Sequence, residues 1–495
     1  MRTASDQERR EAQFHDVVII GNGPSAITLS YLLAGNWPYY SGGGGGGLIP
    51  AFLHQKLETA PATSLLQHDL EHLSEGLEGR SNNPISVLFD TLNHPGADLG
   101  SGEQSTVTWV KREEKAVDHV VLGRGPPGGV WQKMAGDLLT VSLGSWMELP
   151  GLGFQQWCVD NQRSRARVAD VARYYADYVQ TMRLTSHFRD SYLVTSLRRY
   201  GSNPEDDRLT LVPGSGQPIS QRPAPDAQPL WLVEGYRAGA DDLLERFCFA
   251  SRRVALACGT SDVPSRLGCL GEALPFVCHT LSSMEALLAS GRVAGPLLVV
   301  GAGLSAADVI LAARARRLPV IHAFRRRATD RALIFYSLPR ALYPEYHEVH
   351  QMMRDGGRSC SRYRALPQAR VTRIGESGAV TLATPEGAVT VNVSHVAVMI
   401  GARPCLEFVA EPEALGSRSG EPIDGRHNPV QVDAFTHEAV HAPGLYAMGP
   451  LVGDNFVRFV QGGALAIAAH VCGQRAAELA PAEGAAARGA SELSP

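Results

Sequence analysis

A chain of 495 residues with 44% hydrophobic and 19% charged residues has a globular composition and length enough for two or three domains. A formal net charge of −4 argues against a nucleic-acid or anionic-membrane binder, and no uninterrupted apolar run approaches the roughly 20 residues of a membrane-spanning helix. The eight cysteines (158, 248, 258, 269, 278, 360, 405 and 472) form no C-x-x-C pair, which excludes a zinc ribbon and a dithiol redox centre and predicts reduced thiols.

In chain order, Met1 to Phe14 is polar, has no apolar signal segment and is expected to be disordered. Val17 to Ile20 reads as an apolar strand that enters Gly21-Asn22-Gly23-Pro24-Ser25-Ala26, followed by an apolar helix to about Leu33. In such a turn the first glycine makes the bend and the second admits backbone N–H groups to a pyrophosphate. The third small residue lets helix and strand pack, and the diphosphate meets the positive helix end. Six glycines at 42–47 predict a flexible loop. The second strand of this nucleotide fold is expected only at His119 to Leu122, so about 48–118 reads as an insertion beside the site.

That strand leads to Gly128 and Gly129, which let the chain pass close to a flavin diphosphate or ring, and to Trp131, an apolar wall. Gly123 and Arg124 stand where Asp or Glu usually meets the adenosine ribose. An amphipathic helix at 168–183, a strand near 191–197, a Pro/Gly/Asp-rich loop or hairpin at 201–229 and strands at 230–236 and 253–260 follow.

A second cradle, Gly301-Ala302-Gly303-Leu304-Ser305-Ala306, follows the apolar strand Leu297 to Val300. Its next strand ends in Arg325-Arg326-Arg327, where an NAD-selective protein would place a carboxylate. Guanidiniums there suit a 2′-phosphate, which predicts NADPH. His347 and His350 share a helix face, and without further ligands the spacing predicts a polar surface rather than a metal site. Residues 395–401 read as another buried strand. Past the last strand, at 444–449, Asp454 is expected to meet the flavin ribityl chain. Gln461, Gly462 and Gly463 are expected to open a helix with N–H groups facing the flavin. The Ala/Glu/Gly-rich tail is expected to be disordered.

Two cradles predict an α/β chain with two Rossmann-like dinucleotide-binding domains. The FAD-binding domain takes 15–279 and 395–478, an NADPH-binding domain at 280–394 is inserted into it, and 1–14 and 479–495 flank them. FAD is assigned to Gly21, Gly23, Pro24, Ser25, Gly128, Gly129, Trp131, Asp454 and Gly462. NADPH is assigned to Gly301, Gly303, Ser305, Arg325 and Arg326.

Gly-Asn-Gly-Pro-Ser-Ala, Gly-Gly-Val-Trp, Gly-Ala-Gly-Leu-Ser-Ala-Ala-Asp and the arginine run resemble flavin-containing monooxygenases and related N-hydroxylating enzymes. More narrowly, the strings Leu73–Arg80, Leu342–Met353 and Gly449–Gly463 resemble the oxidative stress-induced growth inhibitor family, over about 15–475. The resemblance implies an NADPH-dependent monooxygenase-like enzyme in which FAD, reduced by NADPH, reacts with O₂ to oxidise an unassigned small-molecule or protein substrate. It also implies an intracellular, cytoplasmic protein tied to oxidative stress, growth, death and cytokinesis, with partners in growth and division control and a midbody location.

Two departures bear on oxygenation more than on NADPH binding. Phe276-Val277-Cys278-His279 echoes only part of Phe-x-Gly-x-x-x-His, and Ser142, Gly144 and Ser145 stand where an Asn near the flavin is expected. The alternative is a catalytically weak, NADPH-sensing regulatory or scaffold protein on a flavoprotein fold.

Overall fold

The first strand, β1 (Glu11–Ile20), alternates in burial at its start and is continuously buried from Val17, the pattern of a strand covered on both faces. The computed structural model describes residues 11–42, 47–100, 102–134, 136–158, 164–203, 206, 209–214, 230–239 and 243–479. Residues 11–14 are therefore strand, which corrects their expected disorder. The readings for 1–10, for 43–46 of the glycine run, for 204–205, 207–208 and 215–229 of the predicted loop, and for the tail from 480 lie outside the described residues.

From β1 the chain enters α1 (Pro24–Leu33), β2 (Asn36–Tyr40), α2 (Ala51–Glu58), α3 (Leu70–Ser74), α4 (Pro84–Asn93), β3 (Val107–Lys111) and β4 (His119–Leu122). Next come β5 (Leu139–Leu143), α5 (Phe154–Trp157), β6 (Arg165–Arg167), α6 (Val168–Thr181), β7 (Phe188–Arg189) and β8 (Tyr192–Arg199). β9 (Thr210–Pro213), inside the predicted loop, β10 (Trp231–Ala238) and β11 (Leu244–Leu256) follow. β11 starts nine residues ahead of the predicted 253–260 strand, because its first half pairs with β10.

One compact unit comprises 1–132, 139–259 and 406–495; the other comprises 133–138 and 260–405. In the first, the sheet order is β7-β4-β1-β11-β10-β8. β4 and β11 flank β1 in parallel, with Val17 opposite His119 and Arg253, while β10 and β8 are antiparallel. β9 pairs with the start of β1, Glu11 opposite Thr210. β2 and β3 pair with each other and with no strand of that sheet among the described residues, so the excursion from the sheet begins at Asn36, ahead of the expected 48. The tyrosines of α6 are fully buried, and the hydroxyls of Tyr174, Tyr175 and Tyr178 donate to the carbonyls of Leu152, Met147 and Pro150. Each ring thus fills core while its polar end is satisfied.

The second unit holds β12 (Val263–Pro264), β13 (Val277–Cys278), α7 (Leu281–Ala289), β14 (Leu297–Val300), α8 (Leu304–Ala315), β15 (Val320–Phe324) and α9 (Pro344–Asp355). It continues through β16 (Tyr363–Pro367), β17 (Arg370–Ile374), β18 (Ala379–Thr384), β19 (Gly387–Asn392), β20 (His395–Val398) and β21 (Ala402–Arg403). Its parallel sheet runs β13-β20-β14-β15-β16, beside an antiparallel β17-β18-β19 meander. The chain then returns to the first unit with β22 (Leu445–Ala447), parallel to β11, and α10 (Val457–Leu479). No helix among the described residues is long and apolar enough to cross a membrane.

Candidate dinucleotide-binding sites

The two cradles repeat one geometry. Gly21 has φ +109°, its N–H donates to the Leu122 carbonyl, and any Cβ would collide with the Ala257 carbonyl oxygen. Gly301 has φ +127°, its N–H donates to the Ala323 carbonyl, and a Cβ would collide with the Met399 carbonyl oxygen. In both turns the chain bends against the neighbouring strand's end at a place only glycine fits. The second glycines are the opposite case. Gly23 and Gly303 are extended, with nothing within 4 Å of a built Cβ, and no side chain caps α1 or α8 behind them. Open space at an uncapped helix N-terminus fits a diphosphate.

At the first cradle Pro24 takes the first helical position, where its missing N–H costs nothing. Ser25 is buried, and a Cβ on Gly449 would lie 2.5 Å from its hydroxyl oxygen, so Ser25 offers the cradle its backbone rather than its side chain. Gly128 donates its N–H to the Asn22 carbonyl at 2.8 Å, and a Cβ on Gly129 would lie 3.0 Å from the Gly23 Cα. The paired glycines thus lie against the cradle. Trp131 is half-buried and meets Tyr175 edge-on at 6.2 Å, placing it on the core side of the loop.

Asn22, which sequence reasoning passed over, accounts for the missing ribose carboxylate. Its buried amide donates to the Gly125 carbonyl at 2.6 Å, and any side chain at 123 would collide with that amide. An Asn between the two glycines was itself the signal, since a polar side chain buried there needs a partner.

The second cradle carries Ser305 exposed on the first turn of α8, and Arg325 to Arg327 exposed just past β15. Arg326 pairs with Asp330 at 2.9 Å in a solvated contact worth little to stability. Beneath the turn sits His322, 1% exposed, another residue the sequence reading missed. Its Nε2 lies 2.5 Å from the Gly301 carbonyl and its Nδ1 2.6 Å from the Tyr363 hydroxyl. A carbonyl only accepts, so Nε2 carries the proton and Nδ1 accepts from the tyrosine.

Burial drives the His322 pKa down to about 4, so the imidazole is neutral. An unfolded histidine titrates near 6.5, so on acidification the unfolded chain binds the proton first. Stability is therefore full above about pH 6.5 and falls as pH drops toward 4. Urea unfolding at pH 7 and pH 5 is expected to differ by about 2 kcal/mol through this residue. His322→Gln should flatten the profile by that amount, and parallel profiles would refute the assignment.

Three expectations for the C-terminal residues and α9 are corrected. Asp454 is 2% exposed, and its carboxylate accepts from Ser81, Asn83 and Ser86 at 2.5 to 2.8 Å. It tethers the excursion instead of opening toward a ribityl chain, and burial raises its pKa against those three donors. Gly462 lies inside α10, which starts at Val457, and a Cβ there would collide with the Ser86 Cα; it is a packing glycine against α4. His347 and His350 do not form a polar surface. Each ring binds a carbonyl of the preceding loop, Leu338 at 2.7 Å and Ala328 at 3.0 Å, and His350 stacks on Phe335. No group of three or more His, Cys, Asp or Glu that could hold a metal occurs among the described residues, and the eight cysteines form no disulfide.

The first turn of α10 instead presents Arg458, 2% exposed between the rings of Trp146 (4.4 Å) and Phe459 (4.6 Å), with Asp98 and Asp90 as counter-charges. A cation at a helix N-terminus opposes the helix dipole. The carboxylates offset it, and they come from the excursion.

No family model matches the chain. It is 43% identical over 466 residues to human oxidative stress-induced growth inhibitor 2, covering 91% of this chain and 92% of that protein. It is 44% identical to mouse oxidative stress-induced growth inhibitor 1, covering 91% and 94%. Among solved structures, a bacillithiol disulfide reductase from Bacillus cereus matches at TM-score 0.58 and 14% identity, covering 93% of this chain and 100% of that one. The ornithine N-hydroxylase of Kutzneria sp. 744, solved with reduced FAD, NADP⁺ and L-ornithine, matches at TM-score 0.54 and 14% identity, with the same coverage. At such identities the likeness shows the fold, that of two-dinucleotide-binding flavoproteins, and not the chemistry. The identity to the growth inhibitors extends over 91% of the chain, and the chain belongs to the oxidative stress-induced growth inhibitor family.

Proposed function

We propose that this chain is an NADPH-dependent, monooxygenase-like flavoprotein, with FAD at the first cradle and NADPH at the second, acting in growth control as the relatives' names state. The observation that carries the proposal is the matched pair of cradles: a crowded first glycine, an open second glycine and an uncapped helix in each. When bound, the flavin would accept a hydride and pass electrons to O₂. The chain's own part is to hold the two diphosphates, to lay Gly128 and Gly129 against the first, and to keep the second turn rigid through neutral His322.

Selectivity for the 2′-phosphate is assigned to Arg325 and Arg326. Charge-assisted hydrogen bonds contribute about 1.5–3 kcal/mol each when shielded from water, and at these exposed guanidiniums screening leaves about 1.4–2.7 kcal/mol for the pair. Arg325→Ala with Arg326→Ala is expected to weaken NADPH binding by about 10- to 100-fold in calorimetry and leave NADH binding unchanged. An equal loss for both nucleotides would refute the assignment.

Asn22, filling the place of the ribose carboxylate, favours a second reading: a protein that senses NADPH and turns over weakly. NADPH consumption no greater than that of free flavin, with NADPH binding intact, would select it.

A further inference from the structure

A cavity of about 540 Å³ opens in the first unit and shares no residue with the first cradle. Its wall is apolar and aromatic: Trp37 of β2, Leu66, Leu70 of α3, Val117, Phe435 and Cys472 of α10. The volume lies within the range of small-molecule sites.

The charge distribution narrows the ligand. Burial lowers the pKa of His68 and His470, which leaves both imidazoles neutral, and burial pushes the Cys472 thiol up to about 11, which leaves it protonated. The interior is therefore uncharged at neutral pH. The charged lining residues are the exposed Asp69, Glu71, Glu114 and Lys115 and the half-buried Arg475. Several of these are already engaged. Asp69 caps α3 by accepting from the His72 N–H, and Arg475 donates to the Ala116 carbonyl at 2.7 Å. An ion entering would lose its hydration and find no counter-charge inside, and an anion would pass more carboxylates than cations. Gln67 and Thr436 remain as neutral polar side chains among the lining.

We propose that this cavity is a second ligand site, which binds a neutral, largely apolar small molecule carrying one or two hydrogen-bonding groups. Its walls come from the excursion (Leu66 and Leu70) and from α10 (Ala469 and Cys472), so an occupant ties the two together and stabilises the fold by mass action.

The test uses the full-length protein and the neutral dye Nile red, with and without FAD added, so that a failure of flavin binding leaves the outcome readable. The expected result is saturable, one-to-one fluorescence enhancement. Anionic 1-anilinonaphthalene-8-sulfonate should bind at least about tenfold more weakly. Ala469→Phe, which fills the cavity, should cost at least tenfold in Nile red affinity, while Cys472→Ala keeps it. Bound Nile red should slow amide hydrogen exchange at Leu66–Leu70 and Ala469–Cys472 in the wild-type protein severalfold, mapped by mass spectrometry. This last readout holds even where Ala469→Phe misfolds. Unsaturable dye uptake, equal affinity for the anionic dye, or hydrogen exchange at Leu66–Leu70 and Ala469–Cys472 unaffected by Nile red would overturn the proposal.

Discussion

Gly303→Val is expected to leave the protein folded and to weaken NADPH binding by at least about 100-fold, or about 2.7 kcal/mol. Gly303 has φ −93° and ψ −177°, a conformation any residue adopts, and nothing lies within 4 Å of its built Cβ. The fold therefore tolerates the side chain, and the melting temperature should move by no more than a few degrees. The space the valine fills is the space a diphosphate needs at the helix N-terminus.

Gly301→Ala is the contrasting case. At φ +127°, with the Met399 carbonyl oxygen in the way, even one methyl group combines backbone strain of about 1–3 kcal/mol with a clash of similar size. It should lower stability by about 3–5 kcal/mol in urea unfolding. The same division is expected at the first cradle, with Gly23→Val losing flavin and Gly21→Ala losing stability. A Gly303→Val protein that binds NADPH with wild-type affinity would refute the assignment of the second cradle.

Arg458→Ala is expected to destabilise the protein by about 3–5 kcal/mol, because it breaks a buried ion-pair cluster and leaves its partners behind. Asp90 is nearly buried, and the His94 ring lies 3.3 Å from one of its oxygens and 3.7 Å from a Glu148 oxygen. Asp98 keeps Arg80 at 3.2 Å, so the larger share of the loss falls on Asp90. Packing adds to the effect, since the guanidinium lies between two aromatic rings. Combining Arg458→Met with Asp90→Asn should recover part of the loss. Equal stability for Arg458→Ala and wild type in urea unfolding would show that the cluster contributes nothing net.

The parts of this fold that were legible in the sequence are those dictated locally. A bend such as Gly21 or Gly301 needs glycine whatever surrounds it, and an apolar run such as His119 to Leu122 marks a strand covered on both faces. The parts that escaped depend on residues distant in sequence. Asp454 suits a ribityl partner by spacing, yet Ser81, Asn83 and Ser86, some 370 positions away, engage its carboxylate. Gly462 looks like a helix start because Gly pairs often are, but here it admits the backbone of α4. The start of α10 at Val457 was hidden in Phe456-Val457-Arg458-Phe459-Val460, whose apolar residues read equally as strand or helix. His347 and His350 carry no sign in their spacing that loop carbonyls at 338 and 328 fold back onto them.

In the proposed function the two cradles hold a flavin and NADPH in one redox-competent chain. The most direct test is the visible absorbance of the purified protein, reconstituted with FAD, before and after NADPH is added without oxygen. A yellow protein is expected, whose flavin bands bleach on NADPH and return when air is admitted. A protein that stays colourless after reconstitution, or one that keeps its flavin bands unchanged in excess NADPH, would contradict it.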